Sequence, residues 1–259
     1  MASWAAKRQL LYSSIIIIAL VLIIGTPSYF IFFNKTATCF DSKQNQDETG
    51  VDCGGGCEKA CKIDVVALPV TIWSRAFSVA NGIYNLAAYV QNPNVEYVAG
   101  PTRYIFRVYD KDNVLIGVRE GNAAIPPTKT FPIFEQGFDA NQRTPATTFF
   151  EFTRDVQWKK YKGTKAELEV ADIKTSNVDT APRIDAVLVN KTINRYAHVE
   201  VVALVYDEKG NAMAASRTFI DDLQSTASVP LFFTWPKVFP SSVSKIEIIP
   251  KLSIDSTLN

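Results

Sequence analysis

Residues 10–33 read LLYSSIIIIALVLIIGTPSYFIFF and carry no charge, and this run constrains the chain more than any other feature. As a helix rising 1.5 Å per residue it would be about 36 Å long, against a bilayer hydrocarbon core of roughly 30 Å. Ser13, Ser14 and Thr26 are compatible with a span because their hydroxyls can bond back to helix carbonyls. Pro27 is expected to kink or end the regular helix. Tyr29, Phe30, Phe32 and Phe33 fall where an interfacial aromatic belt belongs. Lys7 and Arg8 precede the run and only Lys35 closely follows it. The excess of basic residues before the span predicts a cytoplasmic N-terminus (residues 1–9) and an extracytoplasmic C-terminal part. The run exceeds the 7–15 residues of a signal-peptide apolar region and lacks an A-x-A cleavage site, so an uncleaved anchor in the lipid bilayer is expected. Ala37-Thr38 before Cys39 makes a poor lipoprotein signal, and the leader junction and early Glu of a type IV pilin are absent.

All four cysteines, Cys39, Cys53, Cys57 and Cys61, cluster in residues 34–62, and none follows. An even, clustered set on the non-cytoplasmic side reads as two disulfides, with three possible connectivities. The alternatives are a zinc knuckle, which prefers C-x2-C spacing over the C-x3-C found here, or free thiols. Asp41, Asn45, Asp47, Glu48 and Asp52 could offer oxygen ligands to calcium, although their order is not that of an EF-hand. The competing reading is an acidic loop whose side chains cap their own turns. Gly54, Gly55 and Gly56 permit left-handed turns, and no Lys-Ser/Thr follows to make a phosphate loop. The string CFDSKQNQDETGVDCGGGCEKAC resembles a short Cys-rich module of many exported bacterial proteins, with DETGVDCGG as its core. Combined with one upstream span and downstream β-domains, it is similar to uncharacterised envelope proteins of candidate-phylum bacteria. The resemblance implies export and no particular activity.

Beyond residue 62, runs rich in Val, Ile, Tyr and Phe alternate with Asn, Pro, Gly and Asp clusters, the all-β pattern. Strands are expected at 64–73, 83–91, 103–109, 114–119, 130–134 and 147–153. A second set is expected at 167–174, 183–189, 198–206, 212–219, 229–234 and 245–249. The halves repeat. RVYDKDN (107–113) matches LVYDEKG (204–210), YVQNPN (89–94) matches LVNKTIN (188–194), and TFPIF (130–134) matches SVPLF (228–232), at offsets of 97 or 98 residues. Each Val-Tyr-Asp is expected to lead into a two-residue hairpin turn. The fold class is therefore all-β: two tandem immunoglobulin-like β-sandwiches, at 63–155 and 166–259, after a transmembrane helix and a small disulfide-rich module. The second copy resembles the FxLYD-type immunoglobulin-like domain through Val202-Ala203-Leu204-Val205-Tyr206-Asp207, with Val in place of Phe. Residues 156–165, carrying Lys159, Lys160, Lys162 and Lys165, read as a solvated linker.

Little points to catalysis. The chain has one His, His198, and no G-x-S-x-G, P-loop or H-E-x-x-H string. Asp221-Asp222 read as turn residues. A net charge of +1 gives no field for nucleic acid, so no nucleic-acid partner is expected. In a strand, adjacent aromatics point to opposite faces. One of Phe149/Phe150 and one of Phe232/Phe233 should thus face outward, covered by the other domain or by a partner. The sequence favours a non-enzymatic binding or scaffolding protein of the cell envelope, with a protein or polysaccharide partner and no cofactor beyond a possible calcium ion. The second reading is an accessory subunit of a larger membrane or surface-appendage assembly.

Overall fold

In the computed structural model the described residues are 4–27, 29, 38–61, 67–153, 155–161, 167–252 and 257–258. The chain divides into two compact units, Met1–Gly56 and Cys57–Asn259. The first opens with helix α1 (Trp4–Leu20), which runs into a π-helical turn at Val21–Gly25. The window Arg8–Gly25 has a mean hydropathy of 2.0 and none of it is buried, so this helix is long and apolar enough to cross a membrane. Ser13 Oγ donates to Gln9 O (2.8 Å), Ser14 Oγ to Leu10 O (2.7 Å) and Thr26 Oγ1 to Leu22 O, so the hydroxyls are satisfied within the helix. Pro27 does not end the helical backbone, which includes both Thr26 and Pro27. The π turn lies just before the proline, whose missing N–H and bulky ring disfavour the regular ladder there. Phe30, Phe32 and Phe33 lie outside the described residues.

Among the described residues the second unit contains fourteen strands, all antiparallel in their pairings. The first half has β1 (Val70–Ala80), β2 (Ile83–Gln91), β3 (Tyr97–Tyr109), β4 (Leu115–Ile125), β5 (Thr130–Asp139), β6 (Thr147–Phe152) and β7 (Trp158–Lys160). The second has β8 (Leu168–Ser176), β9 (Arg183–Asn190), β10 (Arg195–Tyr206), β11 (Ala212–Leu223), β12 (Ser228–Thr234), β13 (Lys245–Lys251) and β14 (Thr257–Leu258). Sheets β1-β2-β5 and β4-β3-β6 form sandwich 1, with β7 added to β3. Sheets β8-β9-β12 and β11-β10-β13 form sandwich 2, with β14 added to β10. The connectivity of one half is that of the other, strand for strand.

Period-two alternation makes each core. In β3, Tyr104, Phe106 and Val108 point inward against Leu86, Ala88, Val90, Phe131 and Ile133 of the opposite sheet. In β10, Val201, Ala203 and Val205 do the same against Ile184, Leu188, Leu231 and Phe233. Val108 and Val205 thus take equivalent core positions, as the repeat predicts. Gly121 lies opposite Tyr104, where a Cβ would strike the phenol. Its absence lets the Tyr104 hydroxyl reach Glu135 Oε1 at 2.5 Å.

The sandwiches also share a third cluster. Phe77, Ala87 and Phe134 from the outer face of β1-β2-β5 pack against Val202, Leu204, Tyr206, Ala212 and Ala215 from the outer face of β10-β11. Strand β10 is therefore apolar on both faces, which explains its nearly unbroken hydrophobic run. Arg75 Nη1 donates to Ala212 O (2.9 Å) and Arg217 Nη1 to Phe134 O (3.1 Å) across this junction. Desolvation there pushes the Tyr206 phenol far above its ordinary range, and a hydrogen bond with Glu247 adds to the shift.

Several sequence expectations need correction. The first strand runs from Val70, with 67–69 outside it and 64–66 outside the described residues, and continues to an Asn81-Gly82 hairpin turn in which Gly82 has φ 73°. The 156–165 stretch is not a free linker: Trp158 is buried in sandwich 1, β7 pairs with β3, and Ala60 N donates to Trp158 O at 3.2 Å. Lys159 and Lys160 are exposed on that strand, as a basic run should be, whereas Lys162 and Lys165 lie outside the described residues. The Val-Tyr-Asp turns are not two-residue hairpins. Three residues intervene between Asp110 and Val114, and between Asp207 and Asn211, whose backbones are hydrogen-bonded, and the third is left-handed (Asn113 φ 59°, Gly210 φ 77°).

Both turns are closed by their aspartate. Asp110 Oδ1 accepts from Asp112 N and Val114 N, and Asp207 Oδ1 from Lys209 N and Asn211 N, all at 2.8–2.9 Å. The backbone donors, Val114 N–H and Asn211 N–H foremost, hold both carboxyls below the ordinary aspartate value of 3.8. A depressed folded value means that the stabilisation is complete above the ordinary value and is lost as pH falls through the folded one. Both turns should therefore loosen together below about pH 4. Carbon-detected NMR titration of the two carboxyls checks this, and midpoints at or above the ordinary value would refute it.

Candidate functional sites

In the first unit, carboxylates organise the turn around the first two cysteines. Asp52 accepts from Asp41 N (2.9 Å) and Ser42 N (2.9 Å), and Asp41 accepts from Lys43 N (3.0 Å) and Asn45 Nδ2 (2.8 Å). Buried Glu48 accepts from Asn45 N at 3.1 Å. The Asn45 amide lowers the Asp41 pKa, assisted by the backbone donors of Thr38 and Lys43. Gly54 and Gly55 adopt positive φ (75° and 53°), and a Cβ on Gly55 would collide with the Asp47 carbonyl. Glycine is required there by both conformation and space.

Asp41, Asn45, Glu48 and Asp52 thus meet in one hydrogen-bonded turn. Among the described residues, no three carboxylates of the predicted calcium set bring oxygens within 4.8 Å of one another. Their hydrogen bonds to backbone N–H groups are those of turn caps. All four cysteines are disulfide-bonded and none is free, which removes the zinc reading and the free-thiol reading.

In the second unit, His198 lies on β10 with φ 51°, its side chain exposed and its Nδ1 3.8 Å from Asp221 Oδ1. Asp221 and Asp222 lie within β11 and not in a turn. Asp222 is engaged by Arg195 through two hydrogen bonds, of 2.6 and 2.8 Å. A cleft of about 280 Å³ opens between the sandwiches, lined chiefly by Pro126, Pro127, Phe131, Tyr161, Ile249 and Pro250. The one cation among its lining residues, Lys251, is paired with Glu200 at 2.8 Å. Its lining is mainly apolar, with Thr128, Thr130, Tyr161 and Lys251 as the polar groups.

The outer aromatics split as alternation predicts. Phe150 and Phe233 are core, whereas Phe149 is 58% and Phe232 51% exposed. Neither is covered by the other sandwich, because the junction uses different sheet faces. Phe149 stands edge-on to Tyr109 at 5.7 Å, and Arg183 lies over Phe232 at 4.7 Å.

The sequence reading missed two residues. Asn92 and Asn190 are buried (0% and 1% exposed) at equivalent corners of the two sandwiches. Asn92 Nδ2 donates to Tyr97 O and Pro126 O, and its Oδ1 accepts from Asn94 N. Asn190 Nδ2 donates to Asn194 O and Gln224 O, and its Oδ1 accepts from Thr192 N. The signal available was an Asn directly after each apolar strand, at an offset of 98 residues.

No family model matches the chain, and no curated protein matches it. Among solved structures it is similar to a Bacteroides uniformis beta-glucuronidase 2, at 12% identity over 86% of this chain and 29% of that one, with a TM-score of 0.26. A beta-glucuronidase from glycoside hydrolase family 2 gives 11% identity over 87% and 28%, with a TM-score of 0.26. The calcium binding domain CBD12 of CALX1.1 gives 13% identity over 66% and 75%, with a TM-score of 0.21. The chain spans under a third of the length of either glucuronidase, and similarities this weak say nothing about its activity.

Proposed function

We propose that the chain is a single-pass membrane protein, N-terminus inside, that presents two joined β-sandwiches outside the membrane as a non-catalytic binding or scaffolding body of the cell envelope. The observation that carries this reading is the fully uncovered apolar helix at Arg8–Gly25 in a chain whose sandwiches bury their own cores. An uncovered apolar surface of that size is stable only in lipid or against another protein. Four disulfide-bonded cysteines support an oxidising compartment for everything beyond the helix. Trp4 under the Arg8 guanidinium (4.1 Å) suits the interface on the basic side. Resemblance of the cysteine module to exported bacterial proteins supports the same direction. The apolar cleft and the exposed aromatics favour binding over catalysis. Protease added to right-side-out vesicles should remove or release the sandwich pair and leave the short basic N-terminus protected. Sandwiches that stay protected until the bilayer is opened would overturn the orientation. A helix absent from the mature membrane-bound chain would overturn the anchor.

A further inference from the structure

We infer that copies of this chain stack head to tail, sandwich 1 of one copy against sandwich 2 of the next, by repeating the contact that joins the two sandwiches within a chain. The repeat supplies the reason. Within the chain, the β1-β2-β5 face of sandwich 1 lies on the β11-β10-β13 face of sandwich 2. Each sandwich therefore uses only one of its two outer faces. The faces left over are β4-β3-β6 on sandwich 1 and β8-β9-β12 on sandwich 2. By strand equivalence these are the same two kinds of face that already fit together.

The ladder registers make the equivalence specific. Leu204 pairs with Ala215 and Glu247, whereas Arg107 pairs with Val118 and Phe149. Val202, Leu204, Tyr206 and Ala215 of the buried face thus correspond to Ile105, Arg107, Tyr109 and Val118 of the free one. On the other side, Phe134 pairs with Ala87 and Phe232 with Asp185, so exposed Phe232 occupies the place of buried Phe134. Each free face carries an exposed aromatic on an edge strand: Phe149, edge-on to Tyr109, on β6 and Phe232 on β12.

Charge fits the same register. Within the chain, Arg217 lies over Phe134 at 5.1 Å. Its equivalent on the free face is Glu120, opposite Ile105 as Arg217 is opposite Val202. The same stacking would bring Glu120 to Phe232, whose ring is already covered by Arg183. Glu120 is paired with Arg103 and Arg183 with Asp185 on their own faces, so this stacking would set the acid of one ion pair beside the cation of the other. Substituting Arg107 for Leu204 and Asp185 for Ala87 makes these faces more polar than the internal junction. They can stand in water when unpaired, and they suit a reversible contact. A contact between two unlike faces repeats without closing on itself unless the rotation returns to the start, so the product is a row or a ring. The inference does not depend on the membrane reading, since both faces lie in the sandwich pair.

The test uses the full chain in detergent micelles and in vesicles. A benzophenone amino acid at Phe232 should crosslink to the β4-β3-β6 face of another copy, and one at Phe149 to its β8-β9-β12 face. Phe149→Asp and Phe232→Asp should each abolish crosslinking and higher oligomers while leaving the melting temperature unchanged, because both side chains are exposed. Mixing the two variants should restore pairs but no longer rows, because each variant keeps one intact face. Face-to-face pairing of identical faces would instead leave one variant unaffected, and the inference would fall. It would also fall if the wild-type chain gave no crosslinks at either position.

Discussion

Asn92→Ala and Asn190→Ala should each destabilise the protein by about 3–5 kcal/mol, from two or three charge-neutral bonds lost at roughly 1–3 kcal/mol each when a buried partner is left unsatisfied. Each asparagine ties a strand end to two carbonyls from separate loops: Tyr97 and Pro126 for Asn92, Asn194 and Gln224 for Asn190. Removing the amide takes one donor from each of those carbonyls in a space too closed for easy rehydration. The expected loss is a large part of a typical domain's 5–15 kcal/mol. Urea unfolding of both variants should give similar shifts, because the two sites are equivalent in the repeat. A loss below about 1 kcal/mol at either site would show that water replaces the amide.

Leu204→Asp and Val205→Asp should fail in different ways although the residues are neighbours. Val205 faces the core of sandwich 2, and a carboxylate there is buried without a partner. That costs several kcal/mol and should unfold sandwich 2. Leu204 faces sandwich 1 across the junction. Its replacement should separate the two sandwiches and leave both cores folded, since water can reach the carboxylate once they part. Calorimetry of the Leu204→Asp chain should resolve two transitions, and the emission of Trp73, packed at the junction, should shift to the red. If Leu204→Asp instead abolishes all folded structure in one step, the halves are a single cooperative body.

The sequence by itself determined much of this protein. The uncharged run that starts at Leu10 favoured a helix, because only a helix satisfies its own backbone in an apolar setting, and its residues 10–27 are helical. Alternation determined that one of Phe149 and Phe150, and one of Phe232 and Phe233, points inward, and the packing decided that these are Phe150 and Phe233. The offset of 97 or 98 residues determined that two copies share one topology, because equal strand patterns with equal turns close equal sandwiches. In the acidic loop, composition allowed either ligands or caps, and the folded backbone shows Asp41, Glu48 and Asp52 accepting from backbone N–H groups.

Tertiary structure alone decided the rest. Nothing in VEVVALVY says which apolar side faces a core and which faces a second domain, since both sides look alike to a periodicity of two. Trp158 in a lysine-rich stretch read as solvated because its partners, Ala60 and β3, lie far away in sequence. Asn92 and Asn190 read as ordinary turn residues because their burial depends on carbonyls about 34 residues downstream. Local pattern determines the elements, because φ/ψ preference and side-chain alternation are local. Which faces meet depends on contacts between distant parts of the chain, and only the folded packing decides them.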